Sequence, residues 1–152
     1  MTTNNLQALE ALSLTLGLPL AFNPDNTCDL VIDEAEVALR GDPAGHVLKL
    51  SAVIGTLANG ESPAGLKMLL KANFQGQGVG GACLSLDHLS EDVVLCQSVD
   101  VSHLGPEGVA PVLEKLVNYV EFWQKNLAKL TADDAESSSG DAAEVSPGLI
   151  RI

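Results

Sequence analysis

Apolar residues recur along this chain with two periods, and the switches between them divide it into elements. In "NNLQALEALSLTLGLP", Leu6, Leu9, Leu12 and Leu16 fall at helical spacing, with Asn4 or Asn5 where an N-cap belongs. Gly17 and Pro19 end this helix, because glycine accepts a left-handed terminus and proline cannot continue the turn. Leu14 and Leu18 widen the stripe, so apolar surface is expected on more than one side. Past the turn residues "FNPDNT" the period becomes two. Cys28, Leu30 and Ile32 alternate with Asp29, Val31 and Asp33, the pattern of a half-buried strand. "EVALRG" supplies Val37 and Leu39 for a second strand. After "GDPAG", Leu48, Leu50, Ala52 and Ile54 mark the inward face of a third. Three short strands with tight links predict an antiparallel meander.

The helical period returns in "ESPAGLKMLLKANF", with Ser62 as cap, Pro63 at the first helical position, and Leu66, Leu69 and Leu70 as the apolar side. Two more strands follow, "ACLSLD" and "DVVLCQSVDV", and then a long helix carrying Val109, Val112, Leu116, Val120, Trp123, Leu127 and Leu130. Pro111 requires that helix to begin near Gly108. The fold class is therefore α+β, in the order α-β-β-β-α-β-β-α, with helices packed on an antiparallel sheet. Residues 1–130 form this domain. The polar, acidic stretch 131–152 offers little to bury and is expected to be a disordered tail, although its last residues, "LIRI", are apolar again.

Between the second helix and the fourth strand, Gly76, Gly78 and Gly81 spell G-x-G-x-x-G. A dinucleotide loop needs a strand before the glycines and a helix after them, so that phosphate meets a helix N-terminus. Here the order is reversed, and the helix presents its negative end to the loop. No basic residue lies between Phe74 and Asp87. Backbone freedom is the better reading: Gly76 or Gly78 caps the helix, and Gly80-Gly81 turns the chain into a strand or lets another backbone come close.

Composition narrows the function. The 152 residues carry 20 acidic and 8 basic side chains, a net charge of −12, which opposes binding to nucleic acid or to an anionic membrane. No apolar run reaches the length of a membrane span, and the N-terminus lacks the cationic start of a signal peptide, so a cytoplasmic location is expected. The 3 cysteines, Cys28, Cys83 and Cys96, sit in apolar runs without a C-x-x-C pair and read as small buried hydrophobes. His46, His88 and His103 share no metal-ligand spacing, and no activated serine or cysteine motif is present. Neither an enzyme, nor a metal site, nor a cofactor is expected. With 46% hydrophobic but only 3% aromatic residues, the chain is expected to gain by burying a further face against a partner.

Three ordered motifs resemble the class I type III secretion chaperones, the Tir-chaperone family. In "LLKANFQGQGVGGACLSLD" the matching positions are Leu69, Leu70, Ala72, Asn73, Gly80, Gly81, Leu84, Leu86 and Asp87. "LGLPLAFNPDNTCDLVID" is similar through Leu16, Gly17, Leu18, Phe22, Cys28, Leu30, Ile32 and Asp33, and "VEFWQKNL" through Glu121, Trp123 and Leu127. The resemblance implies a homodimer of the fold above, in the bacterial cytoplasm. It would bind the N-terminal region of a secreted effector before export, hydrolyse no ATP, and hand the effector to the export apparatus, a contact for which the acidic tail leaves room. It places Leu66, Leu69, Leu70, Phe74, Gly80, Gly81, Leu84 and Leu86 in the dimer interface, the glycines allowing close approach between subunits. Effector capture is expected on Leu9, Leu12, Leu16, Leu18, Phe22, Val31, Val37 and Leu39. The alternative within the same fold is a regulatory protein that sequesters a transcriptional regulator of secretion genes.

Overall fold

A computed structural model describes residues 2–57 and 63–136, with side chains as far as 129. The elements are α1 (Asn5–Leu16), β1 (Thr27–Ile32), β2 (Ala35–Gly41), β3 (Val47–Thr56), α2 (Pro63–Ala72), β4 (Cys83–Leu86), β5 (Asp92–Asp100), a single-turn α3 (Val101–Leu104) and α4 (Val109–Glu136). The strands make one five-stranded antiparallel sheet in the order β1-β2-β3-β5-β4. The α+β reading holds, with two additions. Val101 opens α3 instead of closing β5, because the Asp100 carboxylate caps the Ser102 N–H and turns the chain. The last helix runs six residues past Leu130, through Glu136; residues 137–152 lie outside the described residues.

The chain divides into two compact units. The first comprises Met1–Ala52 and Cys96–Val117. Its antiparallel meander sets Leu30 opposite Val37 and Leu39 opposite Leu50. Leu30, Val37, Leu39, Leu48 and Leu50 are buried, as are Leu9 and Leu12 of α1. Asp33 and Glu34 alone link β1 to β2, both at positive φ (48° and 71°), so the paired carboxylates belong to a two-residue hairpin turn.

Asn4, not Asn5, caps α1: its side chain accepts the Gln7 N–H at 2.9 Å, and the Gln7 side chain accepts the Asn4 N–H in return. Asn5 is buried and ties the start of α1 to the β2–β3 turn. Its N–H donates to the Gly45 carbonyl at 2.7 Å and its amide to Asp42 at 3.1 Å. The Asp42 carboxylate also accepts the N–H groups of Gly45, His46 and Val47. These bonds, that from Val47 foremost, hold its carboxyl below the ordinary 3.8.

The second unit comprises Val53–Leu95 and Asn118–Ile152. Within it, α2 turns Gly65, Met68, Leu69 and Ala72 inward, which corrects the expected stripe of Leu66, Leu69 and Leu70. The cause lies in the glycine turn that follows. Gly78 sits so tightly on Ala72 that a Cβ there would come within 2.8 Å of the Ala72 Cα and carbonyl oxygen. With Ala72 fixed inward, the helical period takes Leu69 and Met68 with it and leaves Leu70 outside. The Gly78 N–H donates to the Ala72 carbonyl at 2.9 Å, and the Gly78 carbonyl accepts the Trp123 indole N–H at 2.9 Å. Neither Gly76 nor Gly78 makes the helix C-cap directly; a 3₁₀ turn over Phe74–Gly76 intervenes, and Gly76 at φ 69° packs on Gly81. Gly76 and Gly78 therefore serve close approach within one chain. Ser62, the expected cap of α2, lies outside the described residues.

Candidate interaction surfaces

Backbone geometry sorts the expected binding residues into supporting and displayed groups. In the first unit Leu9, Leu12, Val37 and Leu39 are buried within the chain, Leu16 and Phe22 are half-buried, and Leu18 and Val31 face solvent. The four buried side chains are sealed in the chain's own core. The reason is register. Val37 and Leu39 share the inward face of β2, whereas Val31 lies on the outward face of β1.

Leu6 and Leu14 lie on the outer side of α1, the latter 86% exposed, with Leu18 in the loop that follows. That loop folds back on the helix, since the Ser13 hydroxyl donates to the Leu18 carbonyl and accepts the Leu20 N–H. The sequence signal for Leu14 was its place off the Leu9–Leu12 stripe, yet it was not among the expected capture residues. β1 is an edge strand of the sheet, so one side of its backbone has no strand neighbour among the described residues.

In the second unit the expected interface residues divide in the same way. Leu69 and Leu84 are 6% and 5% exposed within the single chain, and Leu66 is half-buried. Leu70 (73% exposed), Phe74 (65%) and Leu86 point outward. Asn73 locks the end of α2 to β4, donating from its amide to the Leu84 carbonyl at 2.9 Å and accepting the Leu84 N–H at 2.8 Å. The four-residue β4 is the other edge of the sheet. Gly80 and Gly81 have φ of 62° and 88° and deliver the chain into it. The β4–β5 turn lifts Leu89 clear of the surface at 84% exposure, its N–H held by the Asp87 carboxylate. An isolated leucine inside a polar turn, "DHLSE", was the available signal for it.

Cys28 is buried as expected, but Cys83 is exposed, because it lies on the outward face of β4 beside the inward Leu84. Cys96 is intermediate. His46, His88 and His103 are separate, and His103 pairs with Asp100 at 2.9 Å on the surface. Among the described residues, no group of His, Cys, Asp or Glu is arranged to hold a metal ion, and no helix is long and apolar enough to cross a membrane.

Several solved structures share this fold. The chaperone of the HopA1-SchA chaperone-effector complex is one; it matches with a TM-score of 0.66 at 23% identity, over 80% of this chain and 95% of its own. The ExsC-ExsE complex matches equally well, with a TM-score of 0.66 at 23% identity over 81% and 92%. The Yersinia pestis type III secretion chaperone SycH, in complex with a fragment of YscM2, matches with a TM-score of 0.59 at 23% identity over 74% and 93%. A search of curated protein sequences returns no significant match. The model of the Tir chaperone protein (CesT) family matches residues 7–124, a span that takes in every element from α1 to most of α4. The chain belongs to the Tir chaperone protein (CesT) family.

Proposed function

We propose that this protein is a bacterial, cytoplasmic type III secretion chaperone. It works as a homodimer that holds the N-terminal segment of a secreted effector in an export-competent, extended form, and it performs no chemical step of its own. Family membership supports the reading, as do the chaperone-effector complexes that share the fold. The observation that carries it is that apolar side chains stand open to solvent in both units of a family domain. Leu6, Leu14, Leu18 and Val31 stand open in one, and Leu70, Phe74, Leu86 and Leu89 in the other. A contiguous exposed apolar patch marks an interaction surface, and these residues are assigned to one such patch in each unit.

Leu70, Phe74 and Leu86, flanked by Leu66, Gly80 and Gly81, are assigned to the contact between subunits. Leu14, Leu18 and Val31, with Leu16 and Phe22 at their margin, are assigned to the effector. An extended segment added to the β1 edge would gain backbone hydrogen bonds whatever its sequence, while side-chain pockets select among segments.

Leu69 and Leu84 are poor probes of the subunit contact, because a buried glutamate would unfold the chain. Leu70→Glu/Phe74→Glu changes exposed positions only. By sedimentation, the native chain is expected at twice its mass and the double variant as a folded monomer. Purified from its native bacterium, the chain is expected to carry a secreted protein whose N-terminal region resists protease. A native monomer that returns no secreted protein overturns the reading, and a transcriptional regulator in place of the effector would favour the regulatory alternative.

A further inference from the structure

On the outward face of the meander, β2 and β3 set Arg40 directly opposite Lys49. Both side chains are exposed, and no ion pair or hydrogen bond reaches either one among the described residues. Like charges directly opposite each other on a sheet are unfavourable. They also stand out in a chain with 8 basic residues and a net charge of −12. The acid closest along the hairpin, Asp42, is not available to them, since its carboxylate already accepts from Asn5, Gly45, His46 and Val47. The next rows of the same face are Asp29 opposite Ala38 opposite Ser51, and then Val31 opposite Glu36. A cationic pair, a row of the exposed Asp29 beside two small residues, and the exposed Val31 opposite Glu36 thus succeed one another on one open sheet face.

We infer that this face docks an acidic segment of the bound polypeptide, with a carboxylate bridging Arg40 and Lys49 and an apolar side chain lying beside Val31. The inference rests on the chaperone reading above and names the chemistry that the first unit selects. Cross-strand Cβ atoms lie about 5 Å apart, so the guanidinium and ammonium heads can converge on one carboxylate and supply charge-assisted hydrogen bonds. The remainder of a strongly acidic surface repels such a segment. The pair therefore sets where an acidic segment can lie, and that is a device of register and specificity.

The test uses the full chain and two labelled synthetic peptides of equal length. One is built of leucine, serine and glutamate, and the other has lysine at every glutamate position. Binding is followed by fluorescence anisotropy at low and at physiological salt. The glutamate peptide is expected to bind more tightly than the lysine peptide despite the net charge of −12, and to weaken as salt rises. Arg40→Gln/Lys49→Gln is expected to weaken the glutamate peptide at least about tenfold, the worth of one charge-assisted hydrogen bond, with a thermal transition no lower than that of the native chain. A lysine peptide that binds equally or better, or a double variant with unchanged affinity, overturns the inference and leaves the chaperone reading in place. If neither peptide binds while Leu14→Glu also leaves effector co-purification intact, the assignment of this unit to the bound segment fails as well.

Discussion

Gly78→Ala adds a single methyl group, and two opposing effects decide its sign. Gly78 does not lie in the left-handed region, so alanine stiffens the unfolded chain and on that account stabilises by about 0.4–1 kcal/mol. Against this stands space. The new Cβ would lie 2.8 Å from the Ala72 Cα and carbonyl oxygen, whereas ordinary contact begins at 3.4 Å, so the two backbones must part by the difference, 0.6 Å. The nearest atoms are main chain, and no side-chain rotation relieves them. Overpacking of this kind costs about 1–3 kcal/mol. Separation also stretches the Gly78 bonds to the Ala72 carbonyl and the Trp123 indole, weakening interactions worth about 1 kcal/mol each. The net expectation is a loss of about 2 kcal/mol, or about 4–8 °C in Tm for a domain of this size. Urea titration followed by far-UV circular dichroism reads it as a lower midpoint at unchanged slope. Adding Ala72→Gly should recover little, because the closest atoms belong to the Ala72 backbone. A single variant within about 0.5 kcal/mol of the native chain, the range of neutral substitutions, would refute the packing argument.

The remaining predictions also follow from turns. Glu34→Gly should stabilise by about 0.5–1 kcal/mol, since Asp-Gly suits a two-residue hairpin turn and Glu34 holds φ 71° with a side chain; a lowered melting temperature would contradict it. Asp42 has a folded pKa below 3.8, so its contribution is full above that value and is lost as pH falls through the folded one. Asp42→Asn should therefore be less stable than the native chain at neutral pH and lose less on acidification, as read from urea midpoints at about pH 7 and about pH 3. Asp87 and Asp100 are also held low, by the Leu89 N–H and the Ser102 side chain foremost, so part of the acid sensitivity should remain.

Alternation made the meander legible. Leu48, Leu50, Ala52 and Ile54 were assigned inward from their spacing alone, and all four are buried. Pro111 located the start of α4, which begins at Val109. The facing of α2 was not legible, because Leu66, Leu69 and Leu70 and the observed Gly65, Met68, Leu69 and Ala72 are both helical stripes. Only the contact of Gly78 with Ala72, six residues away, chooses between them. The same limit divided the expected binding residues: a leucine on α1 reads alike whether it faces the core, as Leu9 does, or solvent, as Leu14 does. The pairing of Arg40 with Lys49 was equally hidden, since it exists only in the register of two strands. Two of the three motifs carried the family through turns and caps, which depend on local chemistry; the third, "VEFWQKNL", lies inside α4 and holds the buried Trp123 and Leu127.

Trp123 is the only tryptophan in the chain, is wholly buried, and hands its indole proton to the glycine turn. Its intrinsic emission is thus a built-in gauge of one unit. Loosening around Gly78 will shift the spectrum to the red. Fluorescence and dichroism melts that fail to superimpose would then report that this turn yields apart from the rest of the chain, without any label attached.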